Sequence, residues 1–154
     1  MGKSTNNKGR RNTGRFTRLP EEVLRTRKYA SLSAHAVKLL VDLARQYNGF
    51  NNGDLCAAFS LMKHNGWRSK GTLSEAAREL QRAGFIEQTR TGGRNAGPHL
   101  WALTWEPIDD CTDKAGHRKI DVKPTQIPSR LYRDEKQDGS SEYGPASSQY
   151  GSAA

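Results

Sequence analysis

Apolar positions recur at helical spacing through the middle of this chain and alternate over a shorter stretch beyond it, while both ends carry no period. The strongest run follows Ser33. Ala36, Val37, Leu39, Leu40, Val41, Leu43 and Ala44 leave only His35, Lys38, Asp42 and Arg45 as a polar stripe three or four residues apart. The pattern predicts a core helix capped by Ser33, running to about Tyr47 and surrounded on most sides. Ahead of it, Leu19-Pro20-Glu21-Glu22-Val23-Leu24 reads as a short lead-in helix, with Pro20 at the first helical position and two acids at the positive end of its dipole. Asn48-Gly49 and Asn51-Asn52-Gly53 end the core helix. Asp54 then caps an expected second helix in which Leu55, Ala58, Phe59 and Met62 follow i, i+3, i+4, i+7, stopping at Asn65-Gly66.

A third helix is predicted from Ser69 or Thr72 to Ala83. Thr72-x-x-Glu75 has the form of a capping box, Leu73, Ala76, Ala77 and Leu80 make the buried face, and Gly84 stands where a left-handed cap is wanted. The period then changes from helical to alternating. Phe85 to Arg90 and Leu100 to Trp105 read as strands joined by the glycine-rich loop 91–99, with Leu100, Ala102 and Thr104 on one face and Trp101, Leu103 and Trp105 on the other. After Pro107 the pattern dissolves, and 137–154 is rich in Ser, Gly, Gln and Ala.

Three helices and a hairpin, in that order, are the layout of a winged helix-turn-helix. The expected fold class is therefore mainly α with a small β-hairpin. The expected organisation is a basic disordered arm over 1–18, the domain over 19–107 and a mostly disordered tail over 108–154.

Charge sharpens this layout. The 154 residues carry 25 Lys and Arg against 16 Asp and Glu, a net +9. Residues 1–18 hold +6 with no acid; 19–105 hold 12 basic and 7 acidic side chains, and 106–154 hold 7 and 9. Basicity thus belongs to the arm and the domain, which favours a polyanionic partner. Cys56 and Cys111 stand alone, none of the four histidines has metal-ligand spacing, and neither a signal peptide nor an apolar run of spanning length occurs. We expect no metal or cofactor, no membrane, and a cytoplasmic, nucleoid-associated protein.

A helix that enters a DNA major groove about 12 Å wide needs short and basic residues on its outer face. Opposite the apolar face of the third helix lie Ser74, Arg78 and Arg82, with Arg68, Ser69, Lys70, Gly71 and Thr72 at its start. Taken alone, such a helix is usually a solvated surface. Beside it, however, the expected wing carries Arg90, Arg94 and Asn95, with Arg94 at the tip suited to a minor groove or a phosphate, and His99 a lesser candidate. Arg11, Arg15 and Arg18 in the arm add attraction to phosphates, chiefly without register. Trp67, Trp101 and Trp105 are expected in the core rather than as stacking platforms.

The run Trp67-Arg68-Ser69-Lys70-Gly71-Thr72-Leu73, then Glu79-Leu80 and Ala83-Gly84-Phe85-Ile86, Gly92-Gly93-Arg94-Asn95 and Ala102-Leu103-Thr104-Trp105 resembles the small winged-helix proteins of bacterial prophages and integrating elements. These are similar to the N-terminal DNA-binding domains of phage and plasmid replication initiators and replisome organisers. The resemblance spans Leu19 to Pro107. It implies that Arg68, Lys70, Thr72, Ser74, Glu75 and Arg78 take the recognition positions and Arg94 the wing position. Two departures stand out: the turn Asn65 to Ser69 is longer than usual, and no helicase-loading or dimerisation domain follows, unless Ile127 to Tyr132 is a docking motif rather than a spacer.

No nucleophile elbow, phosphate-binding loop or His/Cys/Asp grouping is present, and the glycine-rich loop opens no helix, so the expectation is a non-enzyme. The functional expectation is sequence-biased binding of double-stranded DNA, in transcriptional regulation or replication initiation of a phage or mobile element. An RNA-binding module and a protein-interaction adaptor on the same scaffold are the rivals. A homodimer and a protein partner reached through the tail are left open.

Overall fold

The computed structural model describes residues 14–133. Arg11 and the rest of the arm up to Thr13, together with the tail from Asp134, lie outside the described residues. Five helices and a three-stranded antiparallel sheet give a mixed α/β fold: α1 (Glu21–Leu24), α2 (Arg27–Ala30), α3 (Ala34–Gln46), β1 (Leu55–Cys56), α4 (Phe59–Met62), α5 (Lys70–Arg82), β2 (Ile86–Arg90) and β3 (Leu100–Leu103). A 3₁₀ turn, Lys63–Asn65, follows α4, and the sheet order is β1-β3-β2.

α3 forms where its pattern predicts. Ser33 caps it, its hydroxyl accepting from Ala36 N at 3.2 Å, and Ala36, Leu39, Leu40 and Leu43 are wholly buried. Its polar stripe is not all solvated, however. Asp42 is buried, accepting from Trp67 Nε1 at 2.8 Å and from Lys38 Nζ at 3.0 Å, because the indole that closes the corner before α5 needs an acceptor inside. Pro20 stands just before α1 as its N-cap rather than at its first position.

The predicted second helix is largely overturned. Leu55 and Cys56 form β1, pairing with Trp101 and Leu100, and only Phe59–Met62 is α-helical. The pairing fills the open edge of β3, and hydrogen bonds to a strand outweigh a local spacing only four apolar residues long. The sheet therefore has three strands and not the two of a hairpin alone.

The alternation in the last strand holds. Trp101 and Leu103 join Trp105 in the main core with α3 and α5, while Leu100 and Ala102 lie on the other face. What covers that other face is the segment expected to be disordered. Ile108, Cys111 and Ile120 pack on Leu100 and Ala102 as a second small core. Wholly buried Asn52 pins the segment's start, sharing its Nδ2 hydrogens among the carbonyls of Leu103, Glu106 and Pro107 while its Oδ1 accepts from Leu103 N. Farther on, Tyr132 is wholly buried, stacked on Phe85 at 6.2 Å and set edge-on to Trp105 at 6.4 Å, its hydroxyl donating to Glu22 at 2.7 Å. Residues 108–133 thus belong to the folded unit: an apolar sheet face and an aromatic slot left open by the rest of the fold are filled by them. Ile127 and Leu131 stay exposed, but Tyr132 of the same stretch is neither a free docking motif nor a spacer.

Candidate nucleic-acid interface

Ser69, rather than Thr72, starts α5: its hydroxyl accepts from Thr72 N at 3.3 Å, so the Thr72/Glu75 capping box does not form and Glu75 is exposed. Leu73, Ala76, Ala77 and Leu80 turn inward as the pattern requires. Outward lie Lys70, Gly71, Ser74, Glu75, Arg78, Gln81 and Arg82, all exposed, with Thr72 half-buried. Glu79 is tied to the start of α3, accepting from Ser33 N at 2.7 Å and from the Ser33 hydroxyl at 2.6 Å. Those bonds, the hydroxyl's first, hold its carboxyl below the ordinary range. The tie fixes the angle at which α5 presents its outer face. At the other end Gly84, at φ +82°, ends the helix; a Cβ there would lie 2.3 Å from the Leu131 carbonyl oxygen.

Opposite α5 stands the hairpin of β2 and β3. Between them runs a trough made of two hollows that share Ser74, Ala77, His99 and Trp101. The larger, about 330 Å³, extends toward the start of α5, where Lys70 and Phe59 meet with Nζ 5.9 Å from the ring centre. The smaller, about 250 Å³, is bounded by Arg78, Gln81 and Gln88. Arg68, Ser69 and Thr72 line a separate hollow of about 190 Å³ with His35, Lys38 and Trp67, at the helix start.

The hairpin tip is closed by bonds from Gly93 N to Gly97 O (3.0 Å) and from Ala96 N to Gly93 O (3.2 Å), which leaves Arg94 and Asn95 exposed at its end. Arg90 is placed differently. Half-buried, it donates through Nη1 to the Lys119 carbonyl and through Nη2 to the Pro98 carbonyl, bracing the hairpin stem against the chain beyond β3. Nor do Arg15 and Arg18 join the trough. They line a different hollow of about 340 Å³ with Tyr47, Trp105 and Glu106, where Arg15 Nη2 donates to Tyr47 O at 3.0 Å, and that hollow has no lining residue in common with the trough. Arg82 sits in the last turn of α5, also outside it. Trp67, Trp101 and Trp105 are buried in the core, with an edge of Trp101 in the trough and of Trp67 in the hollow at the helix start.

Gln81 and Gln88 line the trough without having been singled out by sequence, and His99 is more central than its place at a strand entrance suggests. The available signal was the hairpin register: Gln88 pairs with Trp101, which a symmetrical closure of the 91–99 loop places near the start of the second strand.

The ion pairs among the described residues are Arg25–Glu21, Lys38–Asp42, His117–Asp113, Lys119–Asp54 and Arg133–Glu22. None involves Lys63, Arg68, Lys70, Arg78, Arg82 or Arg94. Most acids have partners elsewhere; Glu75 is the exposed acid on the outer face of α5. Among the described residues no group of three or more His, Cys, Asp or Glu is placed to hold a metal ion, and no helix is long and apolar enough to cross a membrane. Burial pushes the Cys111 thiol up to about 11, which makes it a poor nucleophile.

Set against protein-family models, curated proteins and solved structures, the chain matches none of them.

Proposed function

We propose that the chain is a winged helix-turn-helix protein that binds double-stranded DNA, with α5 entering the major groove and the β2–β3 hairpin as the wing. One observation carries the reading: Lys70 and Arg78 line the trough between α5 and the hairpin, Arg68 stands at the helix start and Arg94 at the hairpin tip, all four exposed and none in an ion pair among the described residues. Unneutralised side chains clustered beside a trough suit a polyanion whose charges supply the missing partners. The order helix, strand, helix, helix, hairpin, with β3 central in the sheet, supports the same reading.

In this reading Ser74, Arg78 and Gln81 read base edges, while Arg68, Lys70 and Arg94 hold phosphates. Its setting in transcription or replication initiation of a mobile element rests on the family resemblance alone. With about six phosphate contacts, log affinity falls against log salt with a slope of about −5. The test is selection of bound sequences from a random duplex pool, repeated with Arg78→Ala. Enriched sequences for the parent and a flatter preference for the variant are expected. Identical preferences would remove α5 from the recognition role, and stronger binding to structured RNA than to duplex at matched salt would transfer the function to RNA.

A further inference from the structure

His99 stands at the base of the hairpin with its Nδ1 as the meeting point of two donors. Gly92 N approaches at 3.0 Å and Gln88 Nε2 at 2.9 Å. A backbone N–H can only donate, so Nδ1 carries a lone pair and the ring is the neutral tautomer with its proton on Nε2. Gln88 is fixed in the same sense: its Nε2 also lies 3.2 Å from the Arg90 carbonyl and 3.3 Å from Thr91 Oγ1, and inverting the amide would set oxygen against that carbonyl. The closure tolerates little adjustment, since a Cβ at Gly92 would lie 2.5 Å from His99 N and 2.6 Å from the Pro98 carbonyl carbon. From this bond the chain turns directly into the tip that carries Arg94.

We propose that His99 is a positioning residue of the hairpin, fixing the direction of the tip that carries Arg94 while its imidazole is uncharged. Protonation puts a hydrogen on Nδ1 and turns its hydrogen bond with Gly92 into donor against donor. The Gly92–His99 closure then opens, and the tip loses its fixed direction. Lys70 and Arg78 line the hollows that the ring also lines, Arg90 on β2 bonds the neighbouring Pro98 carbonyl, and Asp121 Oδ2 accepts from Thr91 N at 3.3 Å. None of them supplies Nδ1 with an acceptor. The Trp101 ring, 6.4 Å away, packs beside the imidazole without bonding it.

The mechanical part of the proposal needs no DNA. The consequence for binding rests on the DNA reading above. Heteronuclear NOEs of the Gly92 to Gly97 amides in the full chain, recorded over roughly pH 8 to 5 where imidazoles ordinarily change charge, are expected to fall together with the titration of the His99 ring protons. His99→Asn places a non-titrating oxygen where Nδ1 stands and is expected to keep the NOEs high at both ends of the range. His99→Phe removes the acceptor and is expected to keep them low throughout. Unchanged wild-type NOEs after the ring has charged, or a rigid hairpin in His99→Phe, would overturn the proposal. With duplex DNA, wild-type affinity should drop about tenfold relative to His99→Asn at the acidic end, the loss of one charged hydrogen bond. Equal affinities there, with the NOE changes seen, would show that the tip moves without gripping DNA and would count against the DNA reading rather than the pin.

Discussion

The surroundings of the C-terminal end of α5 and the outer face of the same helix use the same residue types in opposite ways. Around its C-terminal end, Lys28 donates to the carbonyls of Leu131 and Arg133, Arg133 pairs with Glu22, and Tyr132 closes the slot between Phe85 and Trp105. Along its outer face and at the hairpin, Arg68, Arg78 and Arg94 are exposed and meet no carboxylate among the described residues. Both regions are rich in arginine and lysine. What sets the second region apart is placement: its cations stand exposed along one helix face and a hairpin tip, where several lie within reach of one polyanionic partner.

The comparison breaks most visibly at Tyr132. Tyr132→Ala should cost about 3–5 kcal/mol, the range for emptying a buried aromatic slot, read as a lower urea midpoint. Tyr132→Phe, which loses only the bond to Glu22, should cost about 1 kcal/mol. A loss under 1 kcal/mol for the alanine variant would show that residues 127–133 are dispensable to the core. Arg78→Ala, on the outer face, should leave the urea midpoint unchanged and weaken binding to the selected duplex by about 1–3 kcal/mol. A shift in stability would place Arg78 with the structural cations.

Ser33 tests the link between α3 and α5. Ser33→Ala should cost about 1 kcal/mol, the usual loss of a helix cap, and should change the acid response. Because the Glu79 carboxyl is held low in the folded chain, its contribution is present above its unfolded value and is lost as pH falls through the folded one. The variant should therefore show a shallower decline of stability below about pH 4.3; parallel profiles would exclude the tie as a source of stability. The smallest effect separates the two hairpin arginines. Arg94→Ala should reduce the steepness of the salt dependence by about one contact, while Arg90→Ala should loosen the hairpin and leave that steepness unchanged.

Much of the architecture was legible in the residues. Ser33 and Gly84 mark helix ends that the structure keeps, and the alternation from Leu100 correctly divides the strand between two faces. The misreadings have physical causes. β1 is two residues long, so no period can reveal it, and its strand character comes from a partner about forty-five residues away. Ile108, Cys111, Ile120 and Tyr132 are too widely spaced to show any pattern, yet each fills a space that other segments leave. For the site, the outward face of α5 was readable, but whether a given arginine is free or braced was not. Arg90 and Arg94 look alike in sequence, and only the Pro98 and Lys119 carbonyls set them apart.

The bond between Tyr132 and Glu22 joins residues 110 positions apart, so it closes almost the whole described chain into a ring. Contacts of such long sequence separation carry a high closing entropy and slow the search for the native arrangement. During synthesis, the aromatic slot between Phe85 and Trp105 can therefore be filled only after Tyr132 has emerged.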